Sequence, residues 1–190
     1  MTTKENESVT HLVVDMLYDF IDGSLACING EEAVESAVNY INEHPLDRVV
    51  YICDSHPKNH CSFTENGGIW PPHCVEGSKG ASIHDMFFTL KRVDNRPNSK
   101  NIYRKGYLAD KEQYSGYFSV GENSNELNSI LGKNIVISGI ATEFCVRETT
   151  LDLLRGGYNV TINSKALAFV TREGHENTLK ELAGMGVSIL

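Results

Sequence analysis

Short, almost wholly apolar runs alternate with helical patterns along this chain. Runs that are apolar at nearly every position are typical of central parallel strands, because such strands are covered on both faces. The runs lie at residues 11–14, 48–53, 135–138, 158–162 and 187–189, with a weaker candidate at 101–103. This alternation, with its short connections, predicts an open α/β sheet with right-handed crossovers.

The segments between the runs carry apolar residues at three- and four-residue steps, which predicts amphipathic helices. The clearest stripe consists of Ala33, Val34, Ala37, Val38 and Ile41. A second pattern begins near Cys145 and ends at Gly156, and a third contains Leu179 and Leu182 and ends near Gly184. Glycine is a common residue at the ends of helices.

Composition restricts the class of protein. The 190 residues include 25 Asp+Glu against 17 Lys+Arg, and the net charge of −8 argues against a nucleic-acid partner. Five cysteines are an odd number in a chain long enough to fold without disulfides, so we expect free thiols. We find no signal peptide and no long apolar stretch, and we therefore expect one cytoplasmic domain over residues 1–190 with no membrane partner.

One long segment, residues 55–98, interrupts the alternation of strands and helices. It is rich in Gly, Pro, His and Asn and shows little periodicity. A loop of this length in a compact domain is usually functional or disordered. Its four histidines, and Trp70 beside Pro71 and Pro72, favour a function.

Three predicted strand ends carry reactive or special residues. Asp15 follows the first run, Asp54 follows the second, and Gly139 leads toward Cys145. Ligands of open α/β sheets lie beyond the carboxyl ends of the strands. An Asp after a strand is also a common turn former or helix cap, but several such residues at one edge favour a site.

Cys145 is a candidate nucleophile because it lies six residues after Gly139, near the expected first turn of a helix with Thr142 as N-cap. The dipole at a helix N-terminus lowers the pKa of a thiol, and free backbone N–H groups there can bind an oxyanion. The alternative is that Cys145 is a small buried hydrophobic residue.

Asp54, His56 and His73 are candidate metal ligands. Asp54 and His56 are separated by one residue and would lie on the same side of an extended backbone. His73, from the loop, would complete a three-ligand set with open positions. His60 and Glu65 are further candidates, and the alternative is that these loop histidines are simply solvated.

Lys105 follows the weakest predicted strand and precedes Gly106. On local pattern alone it is a solvated surface charge. It gains a chemical role only if the fold places it beside Asp15 and Cys145.

Taken together, these residues resemble the isochorismatase-like cysteine hydrolases, and most closely their nicotinamidase/pyrazinamidase branch. The matching motifs are V-V-D-M-x-x-D-F at 13–20, G-S-L-A at 23–26, D-S-H-P-K-N-H at 54–60, W-P-P-H-C-V at 70–75, Y-R-K-G at 103–106 and G-I-A-T-E-F-C-V at 139–146. The first and last are typical of the superfamily, and D-x-H-P with W-P-P-H-C-V is typical of the branch. Leu17 and Tyr18 depart from the Gln and Asn that are common in the family.

The resemblance implies a three-layer α/β/α fold with a six-stranded, mainly parallel sheet. It also implies a catalytic triad of Asp15, Lys105 and Cys145. Asp54, His56 and His73 would bind one divalent metal, for which Zn²⁺ suits the mixed carboxylate and imidazole ligands and Fe²⁺ or Mn²⁺ are alternatives.

The resemblance further implies a cis peptide at Ile140–Ala141 and an oxyanion hole formed by the N–H groups of Ala141 and Cys145. Phe20 and Trp70 are candidates to pack against the substrate ring. The implied reaction is the hydrolysis of nicotinamide, with pyrazinamide as a further substrate. Another amide hydrolase of the same family, a binding protein with a silent triad, and a homo-oligomeric state all remain open.

Overall fold

The structure, a computed structural model, describes residues 9–190, whose centre is a seven-stranded sheet. The strands are Val9–Val14 (β1), Arg48–Asp54 (β2), Ile102–Lys105 (β3), Val120–Gly121 (β4), Asn134–Gly139 (β5), Asn159–Leu167 (β6) and Ser188–Ile189 (β7). They are arranged in the order β4-β3-β2-β1-β5-β6-β7. Every neighbouring pair is parallel except β3 and β4.

The predicted α/β class and the mainly parallel sheet are confirmed, but the expected count of six strands is wrong. The additional strand is β4, an antiparallel edge strand of two residues that pairs with Tyr103 and Arg104. Two residues are too few to show any periodicity, so the sequence carries no pattern that predicts this strand.

Four α-helices accompany the sheet in the part of the chain that the structure describes. They are Tyr18–Ile21 (α1), Gly30–Glu43 (α2), Arg147–Arg155 (α3) and Arg172–Gly184 (α4). The buried face of α2 contains all five residues of the predicted stripe. The predicted helices at α2, α3 and α4 are therefore confirmed, and Gly156 is the C-cap of α3.

The expected N-cap at Thr142 is wrong. Residues Thr142–Val146 form a π-helical turn ahead of α3, and Ala141 occupies the cap position without a side-chain hydrogen bond. The Thr142 hydroxyl instead donates to the Ala168 carbonyl at 3.1 Å. Because that carbonyl lies just after β6, the hydroxyl ties the turn to the loop after β6 and does not cap the helix.

Two hydrophobic cores cover the two faces of the sheet. Along β1, Val13 packs in one core with α2, whereas Leu12 and Val14 pack in the other with residues of α3 and α4. Side chains alternate between the faces of a strand, so a strand that is apolar at every position supplies both cores. This arrangement is the three-layer α/β/α architecture.

The segment from residue 55 to residue 98 contains neither an α-helix nor a strand. Three short 3₁₀ turns occur in it, at Thr64–Asn66, Asp85–Thr89 and Val93–Asn95, and a fourth such turn in the chain is Leu127–Ser129. The His56 N–H donates to the Cys74 carbonyl at 2.9 Å and so joins the start of this segment to its middle. Among residues 9–190, no helix combines the length and apolar character that a membrane crossing requires.

We predict that Ile137→Ala lowers the free energy of unfolding by about 2–5 kcal/mol, because it removes methylene groups from a filled core. Ile137 lies on the interior strand β5 and is 0% exposed. Ile69→Ala is the matched control, since Ile69 is 75% exposed and its loss should cost about 0.5 kcal/mol or less. Urea denaturation measures both, and equal losses would contradict this description of the core.

Candidate active site and metal centre

The carboxyl ends of β1, β2 and β3 and the turn after β5 meet at one pocket. Its polar lining includes Asp54, His56, His73 and Cys145. Its apolar lining includes four aromatic side chains, Phe20, Trp70, Tyr114 and Phe144. The pocket therefore combines reactive groups at its base with flat apolar walls.

The Lys105 ammonium lies at the centre of the reactive groups. Its Nζ is 2.8 Å from Asp15 Oδ2, 2.5 Å from Asp54 Oδ1 and 3.3 Å from Cys145 Sγ. Lys105 and Asp54 are register partners on β3 and β2, which explains why their side chains meet. Lys105 is completely buried, so it is not the solvated surface charge that its local pattern indicates.

Asp15 is oriented by the backbone where β1 ends. It has a positive φ of 49°, and its N–H donates to the Ile52 carbonyl at 2.8 Å. Asp15 Oδ1 accepts the Asp54 N–H at 2.8 Å, while Oδ2 forms the ion pair with Lys105. The side chain is thus held on both oxygens and faces the thiol of Cys145.

Burial governs the protonation of these groups. Desolvation and the charge of Asp54 raise the pKa of Asp15 to about 6, although Lys105 opposes the shift. Burial acts to lower the pKa of Lys105, but the Asp15 and Asp54 carboxylates raise it well above its usual value. For Asp54, burial is outweighed by Lys105 and His56, which hold its pKa low.

The thiol of Cys145 behaves differently from the sequence expectation. Burial raises its pKa well above the usual value, and the nearby Lys105 offsets only part of that effect. The lowered thiol pKa expected from a helix N-terminus is therefore wrong for this pocket. A thiol in such surroundings needs an adjacent base to ionise, and the Asp15 carboxylate lies within 4.8 Å of it.

Asp54, His56 and His73 form a buried group suited to a metal ion. One ligand atom from each lies within 4.8 Å of those of the others. The Nδ1 atoms of His56 and His73 lie 2.7 Å and 2.8 Å from the carbonyls of Gly106 and Pro71. Since these carbonyls can only accept, each Nδ1 carries the proton and each Nε2 keeps its lone pair for a metal. The donor set therefore fits a divalent cation.

A second group of potential ligands, Asp15, Asp54 and Cys145, is equally compact. Its centre is occupied by the Lys105 ammonium, which contacts all three side chains. A positive charge already balances this group, so it is not a second metal site.

The structure brings neither His60 nor Glu65 into the metal group. His60 stacks on His56 with ring centroids 4.1 Å apart, but its Nδ1 and Nε2 are hydrogen-bonded to Ser62 Oγ and the Lys111 carbonyl. Glu65 is exposed on the 3₁₀ turn Thr64–Asn66. Protein partners thus already occupy both nitrogens of His60.

The aromatic walls include two residues that the sequence did not single out. Phe20 and Trp70 line the pocket, together with Tyr114 and Phe144. Trp70 packs edge-on against Phe144 and donates from Nε1 to Tyr114 Oη at 3.1 Å. Phe144 adjoins Cys145 and could have been noticed for that reason, whereas no motif marks Tyr114.

The turn that carries Cys145 is anchored to a neighbouring loop. The Ile140–Ala141 peptide is cis, as the resemblance implies, and Ala141 lines the pocket beside Cys145. On the outer side, Glu143 accepts the Thr171 N–H at 2.8 Å and the Val170 N–H at 3.2 Å. The backbone around the thiol is therefore anchored to the loop that precedes α4.

A buried cysteine beside an acid and a lysine, at the carboxyl edge of a mainly parallel sheet, defines a class of cysteine hydrolases. Residues 9–190 match the model of the isochorismatase domain, and the chain belongs to that family.

Known relatives and solved structures resemble almost the whole chain. The nicotinamidase of Saccharomyces cerevisiae is 29% identical over an alignment that covers 80% of this chain and 84% of the relative. A pyrazinamidase of Pyrococcus horikoshii, solved in complex with zinc, is 34% identical with a TM-score of 0.82 and covers 96% of this chain and 98% of its own. PnC1 from L. infantum, solved with nicotinate, is 31% identical with a TM-score of 0.80, and the match covers 100% of this chain and 95% of PnC1.

We predict that Lys105→Met lowers the free energy of unfolding by about 3–5 kcal/mol, because it leaves two buried carboxylates without their shared cation. Lys100→Met is the control, since Lys100 is exposed. Chemical denaturation of both variants tests the prediction. A stability of Lys105→Met equal to that of the control would contradict the central role of this ion pair.

Proposed function

We propose that the protein hydrolyses nicotinamide to nicotinate and ammonia, and that it also acts on pyrazinamide. The observation that carries the proposal is the convergence of Asp15, Lys105 and Cys145 on a pocket that also holds Asp54, His56 and His73. An acid, a buried cation and a thiol suit attack on a carboxamide, and the aromatic walls suit a flat ring. The names and ligands of the relatives described above support the same reaction.

The nicotinamide ring would be oriented by a metal ion at its nitrogen and by aromatic side chains against its faces. Asp54, His56 and His73 would hold one divalent cation, for which we propose Zn²⁺ with Fe²⁺ or Mn²⁺ as alternatives. When bound there, the cation would supply a Lewis acid for the pyridine nitrogen and so fix the ring. Phe20 and Trp70 would pack against the ring and exclude water, with the carboxamide directed toward Cys145.

The first chemical step would form a thioester. Asp15 takes the proton from the Cys145 thiol as the sulfur attacks the carboxamide carbon, and Lys105 stabilises the developing negative charge. The N–H groups of Ala141 and Cys145 would receive the oxyanion. As the C–N bond breaks, Asp15 returns its proton to the leaving nitrogen, so ammonia departs.

The second step would regenerate the enzyme. A water molecule enters where ammonia left. Asp15 removes one proton from this water as the water oxygen attacks the thioester carbon. The C–S bond then breaks, the Cys145 sulfur regains a proton from Asp15, and the nicotinic acid that leaves loses its carboxyl proton to solvent and becomes nicotinate. A pKa of about 6 suits Asp15 to accepting and returning a proton near neutral pH.

We predict that Cys145→Ala lowers kcat for nicotinamide by about 10⁴- to 10⁶-fold, the range seen when members of a catalytic triad are removed. Binding of the ring should remain nearly intact, because the walls and the metal group are unchanged. A coupled ammonia assay and equilibrium binding of nicotinamide measure the two effects. Cys61→Ala is the control, since Cys61 is a half-buried thiol that does not line the pocket. Wild-type turnover by Cys145→Ala would refute the assignment of the nucleophile.

We further predict that removing divalent metal with a chelator abolishes ammonia release, and that added Zn²⁺, Fe²⁺ or Mn²⁺ restores it. His73→Ala should reproduce the loss, whereas His44→Ala should not, because His44 stacks on Tyr40 away from the pocket. Full activity after chelation would instead favour an amide hydrolase of the same family with a different small substrate.

A further inference from the structure

Asp19 is a carboxylate beside the pocket that takes no part in the proposed reaction. It is the second acid of the V-V-D-M-x-x-D-F motif and lies on α1, immediately before Phe20. Its side chain makes no ion pair in the described part of the chain, and both of its oxygens accept backbone N–H groups. A carboxylate that accepts backbone N–H groups forms charge-assisted hydrogen bonds, which hold the chain segments that donate them in place.

The segment that Asp19 holds is the one that carries the metal ligand His73. Asp19 Oδ2 accepts the N–H of Cys74, the next residue, at 2.7 Å. The carbonyl of Cys74 in turn accepts the N–H of His56 at 2.9 Å. Cys74 therefore lies between Asp19 on one side and a second ligand of the metal group on the other.

Cys74 has a backbone conformation that needs such support. Its φ is +46°, a left-handed value that is unfavourable for a residue with a Cβ atom. With this conformation the Cys74 side chain is completely buried in the core, while the preceding His73 ring lies 4.9 Å from the ring of His56. A relaxed φ at Cys74 would reorient the chain directly after His73.

The surroundings of Asp19 reserve space for its carboxylate. Asp19 N–H donates to the Gly80 carbonyl at 3.0 Å, and a Cβ atom at Gly80 would overlap the Asp19 carboxylate. Gly80 does not have a positive φ, so the backbone conformation does not require a glycine there. The missing side chain instead allows the Asp19 carboxylate to approach the Gly80 backbone closely. The Ser24 hydroxyl adds a second link between the two segments by donating to the Pro72 carbonyl at 2.7 Å.

We infer that Asp19 is a positioning residue for the metal centre: its bond to the Cys74 N–H holds the left-handed turn that places His73 beside Asp54 and His56. The inference rests on the proposed metal-binding function of that group. Asp19 itself contacts neither metal nor substrate. Its contribution should therefore be visible as affinity for metal in the folded protein.

The test is a Zn²⁺ titration of the full chain after metal has been stripped with a chelator, with a chromogenic chelator as competitor. The variants are Asp19→Ala, which removes the acceptor, and Gly80→Ala, which displaces the carboxylate without removing it. Asp22→Ala and Gly184→Ala are the matched controls. Asp22 is exposed, and a Cβ atom at Gly184 would meet nothing within 4 Å.

We expect Asp19→Ala and Gly80→Ala to weaken the Kd for Zn²⁺ by about 10- to 100-fold, the range typical of residues that orient metal ligands, while the controls bind as the wild type does. Melting temperatures of the metal-free proteins establish that the variants are folded. If Asp19→Ala does not fold, the Kd of Gly80→Ala for Zn²⁺ alone tests whether Asp19 positions the metal ligands.

Two results would overturn the inference. If folded Asp19→Ala and Gly80→Ala bind Zn²⁺ as tightly as the wild type, Asp19 does not position the ligands, whether or not the melting temperature falls. If the wild type itself binds no Zn²⁺ and remains active without metal, the proposed metal centre is wrong and the inference fails with it. The behaviour of the wild type thus separates the two failures.

Discussion

The buried ammonium of Lys105 is the interaction on which the rest of the site depends. It neutralises two buried carboxylates that would otherwise repel each other, and it lies 3.3 Å from the buried Cys145 thiol that lines the pocket. A charge without partners is costly to bury, so all members of the group must be present for any of them to be stable there. The stability of these buried charges therefore depends on all of them being present together.

The parallel sheet explains how a chain can assemble this unit from distant residues. Asp15, Asp54 and Lys105 lie on or directly after three neighbouring strands, β1, β2 and β3, and parallel strands bring their carboxyl ends to one edge. Asp54 then contributes to two neighbouring groups. Its Oδ1 contacts Lys105, and its Oδ2 lies 3.4 Å from Nε2 of His56, so this one carboxylate links the Lys105 ion pairs to the candidate metal ligands.

The sequence predicted those features that repeat or that carry a motif. The all-apolar runs and the stripe of α2 follow from periodicity, and the positions of Asp15 and Asp54 follow from their places at strand ends. Lys105 was assigned to the site only through the resemblance to the family. Strand β4 is too short to have a period, and the aromatic residue Tyr114 reaches the pocket only through tertiary packing. The pKa of the Cys145 thiol was predicted wrongly, because its local position indicates a helix dipole. The pKa depends instead on burial of the thiol, which only the folded structure reveals.

Two of the four wall aromatics lie on parts of the fold other than those that carry the Lys105 ion pairs. Trp70 and Tyr114 lie on irregular connections and are joined by a hydrogen bond, whereas Asp15, Asp54 and Lys105 lie on or directly after strands of the sheet. Loops tolerate replacement far better than a packed sheet does. Substitutions at Trp70 and Tyr114 can therefore reshape the pocket while the buried ion pairs at the sheet edge stay as they are.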